Sequence, residues 1–183
     1  MRLPILLLAV CFALEPAVAA ETAWHSRDGK PIPDTESRKS ANGFGASLVV
    51  TPDEDWETKW NTPPETVPTF SEARTVKRGG VVTILIFFAN PQTDARNAAN
   101  VRCDLRVLRP DGSFSINAND VVCMEGELKG NPAFVRLAAP VLKFVGEPQD
   151  PLGEWRVEVS VKDVLRQTSL HLKTSFTLEP WGA

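Results

Sequence analysis

The sequence predicts an all-β protein, an antiparallel β-sandwich with one short helix near its N-terminal side. Three observations favour this class. One is a stretch of period-two alternation near the C-terminus, the second is a set of about eight short strand-like segments, and the third is the Gly, Pro and Asn-Asp turns that separate them. No internal repeat is visible, and strands do not alternate with long helical patterns, so an α/β fold is disfavoured.

The clearest alternation covers residues 153–178. Residues 153–162 place Trp155 and three valines on one face and charged or polar residues on the other, as expected of a sheet with one buried side. A second alternating segment, residues 170–178, follows directly, and the two are expected to pair as an antiparallel hairpin. Its inward residues are Trp155, Val157, Val159, Val161, Leu170, Leu172, Phe176 and Leu178.

The other strands are predicted in the middle of the chain. Residues 81–88 are apolar apart from one Thr, and their β-branched and aromatic content favours a central strand. Residues 101–107 alternate and direct Cys103 into the core. Shorter strands are expected at residues 46–50, 114–116, 121–124, 134–137 and 141–145, with turns at residues 110–112 and 117–120.

One short helix is expected after residues 46–50. Thr51 is a suitable N-cap, Pro52 suits the first helical position, and Glu54 completes a capping box. Trp56 and Trp60, four residues apart, then lie on one helix face. The prolines in residues 63–68 end the helix and keep the following connector extended.

The N-terminus has the pattern of a secretory signal peptide over residues 1–20. Arg2 precedes an apolar stretch of about a dozen residues, and small side chains at 17–20 supply a cleavage site. A lipoprotein signal would need a small residue before Cys11, where Val10 stands. Because no segment reaches the roughly 20 apolar residues of a membrane helix, we expect no transmembrane segment and export to the periplasm or the medium.

The chain after the signal peptide is expected to form two parts. Residues 21–45 are rich in Ser, Pro, Gly and charged side chains, which predicts a flexible N-terminal arm. Residues 46–183 then form a single β-sandwich domain, a length that suits one compact core.

Cys103 and Cys123 are the two cysteines that follow the signal peptide. An even number in an exported chain predicts a disulfide, and two buried free thiols are the alternative. A zinc site is disfavoured because neither cysteine has a second ligand close to it in sequence.

Two segments resemble core strands of immunoglobulin-like domains in bacterial extracytoplasmic proteins. They are residues 76–90, with a Gly pair before an apolar strand, and residues 153–163, where Trp155 leads alternating valines. The chain departs from antibody-type domains, since Cys103 and Cys123 are too close together in sequence and Trp155 follows both. The resemblance implies an immunoglobulin-like sandwich fold, and a fold by itself implies no activity.

Composition disfavours nucleic-acid binding and catalysis. The net charge is −3, and the basic residues are interleaved with acidic ones, so no electrostatic footprint for phosphates is present. The chain has two His and no Tyr. His25 falls in the expected arm, His171 falls on an outward strand face, and no Gly-x-Ser-x-Gly elbow supports a nucleophile.

The acidic residues do not assemble a recognisable site either. The pairs Asp53 with Asp55 and Glu125 with Glu127 stand in polar segments, where solvation and capping explain them. Residues 117–120 and 147–150 offer oxygen ligands for calcium but lack the spacing of a known loop, so turn chemistry is the simpler interpretation. We therefore expect no catalytic residue, no metal ligand and no cofactor.

Trp56 and Trp60 are the remaining candidates for a binding site. Two Trp on one face of a short helix either seal an open end of the sandwich or anchor a partner, and the seal is the simpler expectation. The resulting hypothesis is an exported, non-enzymatic β-sandwich that binds another extracytoplasmic protein as an accessory, chaperone-like or inhibitory factor. A small-ligand or glycan-binding module and a hydrolase with an unrecognised site are the alternatives.

Overall fold

The computed structural model describes residues 22–26, 28–62 and 68–181, so the expected signal peptide lies outside the described residues. Within this part, the chain forms ten strands and one helix. In order they are β1 (Arg38–Ala41), β2 (Phe44–Thr51), α1 (Trp56–Trp60), β3 (Thr75–Lys77), β4 (Val81–Ala89), β5 (Ala98–Leu108), β6 (Phe114–Glu127), β7 (Arg136–Leu137), β8 (Leu142–Val145), β9 (Gly153–Asp163) and β10 (Thr168–Glu179).

The strands form two five-stranded sheets. The first has the order β1-β2-β4-β7, with β8 also paired to β4, and the second has the order β3-β10-β9-β5-β6. Their inner faces enclose one apolar cluster to which both sheets contribute. The predicted all-β sandwich with one short helix is therefore confirmed. The pairing is antiparallel except between the edge strand β3 and β10, which run parallel.

The C-terminal hairpin forms as predicted. Strands β9 and β10 pair in one continuous antiparallel register from Thr168 opposite Asp163 to Leu178 opposite Gly153. Trp155 is 1% exposed and stacks over Phe176, while Phe144 from the other sheet packs against both rings. The period of two thus places the large rings at the centre of the core.

Strand β4 is buried on both faces. Its inward residues belong to the core cluster, and its outward residues Leu85 and Phe87 are only 0% and 6% exposed. The rings of Trp60 and Phe70 cover Phe87, with centroid separations of 5.2 and 5.5 Å. A third layer from α1 and the following connector therefore shields the first sheet, which explains why β4 is apolar without alternation.

The expected flexible arm over residues 21–45 needs correction. Strand β1 lies inside that range and pairs with β2 through a two-residue turn. Both turn residues, Asn42 and Gly43, have positive φ, of 52° and 77°, which suits the right-handed twist of a hairpin. Upstream, the Trp24 indole donates to the carbonyl of Lys39 at 3.0 Å. The polar composition of this segment reflects an edge strand, and the Asn-Gly turn was its signal.

Two local expectations are also wrong. Thr51 is the last residue of β2 and is not the N-cap; α1 begins at Trp56 after Asp55, and no side-chain cap is formed. Residues 117–120 are not a turn, because they lie within the single long strand β6, where Asp120 has a φ of 53° beside a shift in register with β5. Asn119 and Asp120, which suggested a turn, therefore lie at a β-bulge.

Cys103 and Cys123 face each other across β5 and β6 at disulfide-bonding distance, as predicted. Their Cα atoms are 5.9 Å apart, and both side chains are 1% exposed. The bridge lies inside the core and holds the bulged edge strand β6 to its neighbour β5.

Among the residues that the structure describes, no helix is long and apolar enough to cross a membrane.

One end of the sandwich is closed by a buried ion pair. Asp163, fully buried at the end of β9, accepts hydrogen bonds from the backbone N–H groups of Gln92 and Arg166 and from the Arg166 guanidinium. The same guanidinium donates to the backbone carbonyls of Asn42 and Asn90, at 2.6 and 3.1 Å. Because Asn42 and Asn90 belong to the first sheet's turns and Asp163 to the second sheet, this network joins the two layers.

Opening the Cys103 to Cys123 bridge should destabilise the protein. For the chain that begins at residue 21, we expect reduction to lower the free energy of unfolding by about 3 kcal/mol, since the bridge closes a loop with a sequence separation of 20. Denaturant unfolding with and without reductant measures this. A Cys103→Ala, Cys123→Ala double variant should not respond to reductant. Two alkylatable thiols in the denatured, unreduced protein would contradict the pairing.

Neutralising Asp163 should be costly. Asp163→Asn leaves the Arg166 guanidinium without its buried counter-charge, so we expect a loss of about 3 kcal/mol or more in unfolding free energy. The matched control is Asp28→Asn, which removes an exposed carboxylate paired with Lys30 and should leave the unfolding free energy nearly unchanged. Equal losses in the two variants would show that the buried pair does not hold the sheets together.

Candidate functional site

Each open side of the sandwich carries a groove. The β2–β10 groove, of about 480 Å³, lies between the part of β2 that the short edge strand β1 does not pair with and the part of β10 that β3 does not pair with. Two bridging segments limit it: Ser37 accepts from the N–H of Leu48 while Glu36 accepts from Lys173, and Arg74 accepts from Thr177. Its floor is the core itself, at Leu48, Val50, Ala73 and Phe176, and its rim combines Glu36, Glu72, Arg74 and Lys173 with several hydroxyl groups.

The β6–β7 groove, of about 540 Å³, lies on the opposite side. It runs between the edge strand of each sheet, and a hydrogen bond from the N–H of Ala139 to the carbonyl of Cys123 crosses it. Apolar side chains form most of its wall, and Trp60 borders it from α1. Its lining includes Trp60, Val122, Met124, Glu125, Val135 and Leu137.

Beside this groove stands a tightly bonded loop, the Arg136 loop (residues 129–135). The Arg136 guanidinium donates four hydrogen bonds, to the backbone carbonyls of Lys129, Asn131, Pro132 and Phe134. Partial burial without a carboxylate in this set lowers the pKa of Arg136. The N–H of Asn90 also donates to Pro132 at 2.8 Å, which fastens the loop to the end of β4.

The Arg136 loop presents apolar side chains to solvent. Phe134 is 60% exposed and Val135 is 43% exposed, and Val122 on the facing β6 edge is 40% exposed. Sequence reasoning assigned residues 134–137 to a strand and did not find this surface. The available signal was the Gly130-Asn131-Pro132 turn cluster two residues before Phe134, which places an aromatic residue on a loop.

Trp60 contacts the first sheet and also lines the β6–β7 groove. One side of its ring packs on Phe87, as a seal would, and the residue also borders the β6–β7 groove. Both Trp56 and Trp60 are only half-buried, and α1 contains no fully buried residue. The structure therefore brings Trp60 to the groove, and Trp56 lies one helical turn away from it.

An ion pair holds α1 in this position. The Lys59 ammonium lies 2.8 Å from Asp53 and 3.2 Å from Asp55, and the N–H of Ser71 donates to Asp53 at 2.9 Å. Burial by itself would raise the pKa of Asp53, but the hydrogen bonds from Lys59 and Ser71 outweigh it and lower the pKa to about 2. Asp53 therefore links α1, through Lys59, to Ser71 in the segment that follows the helix.

The histidines do not form a hydrolytic triad among the described residues. His171 Nδ1 lies 2.8 Å from Ser160 Oγ, a contact that the hairpin register creates on the outer face of the second sheet. Asp104 stands next in the same row, but beside Ser160 and not beside His171, and it accepts from the N–H of Asp120. A triad needs the carboxylate to orient the His, so this order does not supply one.

The carboxylates of the described residues do not assemble a metal site. Within residues 22–26, 28–62 and 68–181, no group of three or more His, Cys, Asp or Glu side chains could hold a metal ion. Residues 147–150 form a turn in which Asp150 accepts from the N–H of Glu147 at 2.9 Å, and Arg78 donates to the carbonyl of Asp150. His25 lies in an isolated bridge with Pro31 and lines neither groove.

Comparison with known proteins gives similarity to solved β-rich structures alone. No family model matches the chain, and no curated protein matches it. A family 123 glycoside hydrolase from Clostridium perfringens, studied for glycolipid glycan hydrolysis, is 10% identical with a TM-score of 0.44; the match covers 74% of this chain and 27% of the hydrolase. A Niemann-Pick type C2 protein from the Japanese carpenter ant is 8% identical with a TM-score of 0.36, covering 73% of this chain and 89% of that one.

The Asp53 pair predicts acid sensitivity. The folded-state pKa of about 2 lies below the ordinary 3.8, so this stabilisation is complete above about pH 4 and is lost as the pH falls toward 2. We expect the melting temperature to fall over that interval more steeply for the parent than for Asp53→Asn. The control Asp55→Asn, an exposed carboxylate on the same lysine, should follow the parent. Parallel curves for parent and Asp53→Asn would contradict this assignment.

Proposed function

We propose that this protein is an exported, non-enzymatic β-sandwich of the immunoglobulin-like type that binds another extracytoplasmic protein. The binding surface is the β6–β7 groove together with the Arg136 loop. Its central contacts are Phe134 and Val135 from the loop, Val122 from the β6 edge, and Trp60 from α1. The protein serves its partner as an accessory, chaperone-like or inhibitory factor, in the periplasm or outside the cell.

The observation that carries this proposal is the Arg136 guanidinium and its four carbonyl acceptors. Those bonds hold a short loop in one conformation while Phe134 at its end stays 60% exposed. A single exposed apolar residue needs no explanation, but an aromatic side chain on a pre-ordered loop beside an apolar groove has the features of a binding anchor. Ordering the loop in advance lowers the entropy cost of association.

The absence of an assembled reaction centre supports the non-enzymatic part of the proposal. In the described chain, the row of Ser160, His171 and Asp104 has the wrong order for a triad. The two cysteines at disulfide distance suit an oxidising compartment, which supports export. We propose no cofactor.

A second candidate function is small-ligand binding in the β2–β10 groove. Its volume of about 480 Å³ falls within the range of small-molecule sites, and it combines an apolar floor with charged and hydroxyl groups at the rim. Arg74→Ala and Lys173→Ala would impair such a function. The same changes should leave protein binding at the opposite side unaltered.

Replacement of Phe134 tests the protein-binding proposal. We expect Phe134→Ala to leave the melting temperature unchanged, because the ring is mostly exposed, and to weaken binding of the partner by about 2 kcal/mol or more. The parent and the variant are used as matched baits in affinity capture from the compartment to which the protein is exported. The dissociation constant is then measured for a protein that the parent captures and the variant does not.

The matched control is Leu165→Ala. Leu165 is 43% exposed in the turn between β9 and β10, and it should contribute nothing to this surface. A protein retained by the parent and Leu165→Ala baits but lost from Phe134→Ala is the expected result. Equal retention by all three baits would refute the assignment of the binding surface.

A further inference from the structure

The edge strand β6 has the features of an unfinished sheet. It is 14 residues long, and in the described structure its sheet neighbour is β5 alone. Native sheets usually keep an edge strand short or cover it, because its unpaired N–H and C=O groups accept further strands. Over residues 114–122, six positions are exposed and three are half-buried. The backbone edge of this stretch is therefore accessible.

The inner face of β6 is also incompletely covered. Ile116, Ala118 and Val121 pack against the core but stay half-buried, whereas Val101, Leu105 and Val107 on the adjacent β5 are at most 2% exposed. One more strand beside β6 would complete this burial. Strand pairing therefore gains apolar contact as well as backbone hydrogen bonds.

The free edge leads directly into the β6–β7 groove. Residues up to Val122 have the accessible edge, and the carbonyl of Cys123 is then taken by the N–H of Ala139. Val122 and Met124 line the groove beyond this point. An extended segment that pairs with residues 115–122 would thus deliver its next side chains to the apolar wall and to Phe134.

The charge of the strand selects the occupant. Strand β6 contains Asp120, Glu125 and Glu127 and no Lys or Arg. Glu125 is engaged by Arg102 at 2.8 Å, and Glu57 stands one turn before Trp60 on the same helix face. Strand β6 itself therefore carries only negative side-chain charges, while the adjacent β5 carries Arg102, Asp104 and Arg106.

We propose that the partner presents an extended segment with alternating apolar and basic residues, which adds to the second sheet as a strand antiparallel or parallel to β6 and ends in the β6–β7 groove. This inference rests on the proposed function and specifies its recognition mode. A second copy of this chain is disfavoured as occupant, because it would set a second acidic edge against the first. Anionic lipid surfaces are disfavoured for the same reason.

Synthetic peptides test the recognition mode. A ten-residue peptide of alternating Val and Lys, one of alternating Val and Glu, and a Val-Lys peptide with Pro at two central positions are titrated against the protein beginning at residue 21. We expect the Val-Lys peptide to bind about tenfold more tightly than either of the others, because the second lacks charge complementarity and the third lacks ladder donors. Amide hydrogen exchange should slow within residues 115–122.

Charge-matched variants locate the effect. Asp120→Asn with Glu127→Gln should weaken the Val-Lys peptide by about fivefold, since Asn tolerates the positive φ at position 120 and only charge is lost. Asp111→Asn with Glu154→Gln removes the same charge elsewhere and should have no effect. Equal binding of all peptides, protection outside β6, or dimerisation through β6 would overturn the inference.

Hydrogen exchange and binding measurements with the natural partner test strand addition and the proposed function separately. Phe134-dependent binding of the partner without protection of residues 115–122 would overturn strand addition and leave the binding surface in place. Protection of β6 by the Val-Lys peptide, with partner binding that ignores Phe134→Ala, would support strand addition and refute the function assigned to the loop.

Discussion

The contact between Asp163 and Arg166 is the interaction on which the arrangement of the two sheets depends. A carboxylate with no solvent exposure is stable only when its charge and its lone pairs are satisfied, and the Arg166 guanidinium and two backbone N–H groups do this. Arg166 in turn reaches the carbonyls of Asn42 and Asn90 in the other sheet. The hairpin turn of β9 and β10 is thereby fastened to the turns of the first sheet at one end of the sandwich.

Away from that end, each long side of the sandwich carries a groove. On one side, short bridging segments leave the β2–β10 groove with a mixed rim. On the other, a single hydrogen bond between Ala139 and Cys123 spans the β6–β7 groove, and the buried cysteine pair holds β6 in place. The difference in lining, polar against apolar, follows from which strand edges meet.

Three features shape the apolar side. Arg136 donates to backbone carbonyls of its loop, so the backbone that carries the exposed Phe134 is held in place. Asp53 and Lys59 hold α1, so Trp60 packs on Phe87 and also borders the groove. Strand β6 carries three carboxylates and no basic residue. We propose that these features, each on a different element, serve recognition of a partner.

Local sequence patterns were enough to predict the β class, the hairpin, the central strand and a Cys103 to Cys123 bridge, because alternation, turn residues and cysteine number can be read without knowing the fold. The same patterns missed β1, whose edge position makes it polar, and divided β6 at Asp120, since Asp in a bulge and Asp in a turn have the same local preference. Which apolar side chains stay exposed depends on tertiary contacts. Burial of Phe134 or Trp60 depends on neighbours distant in the chain, and alternation along one strand carries no information about whether a further strand or helix covers it.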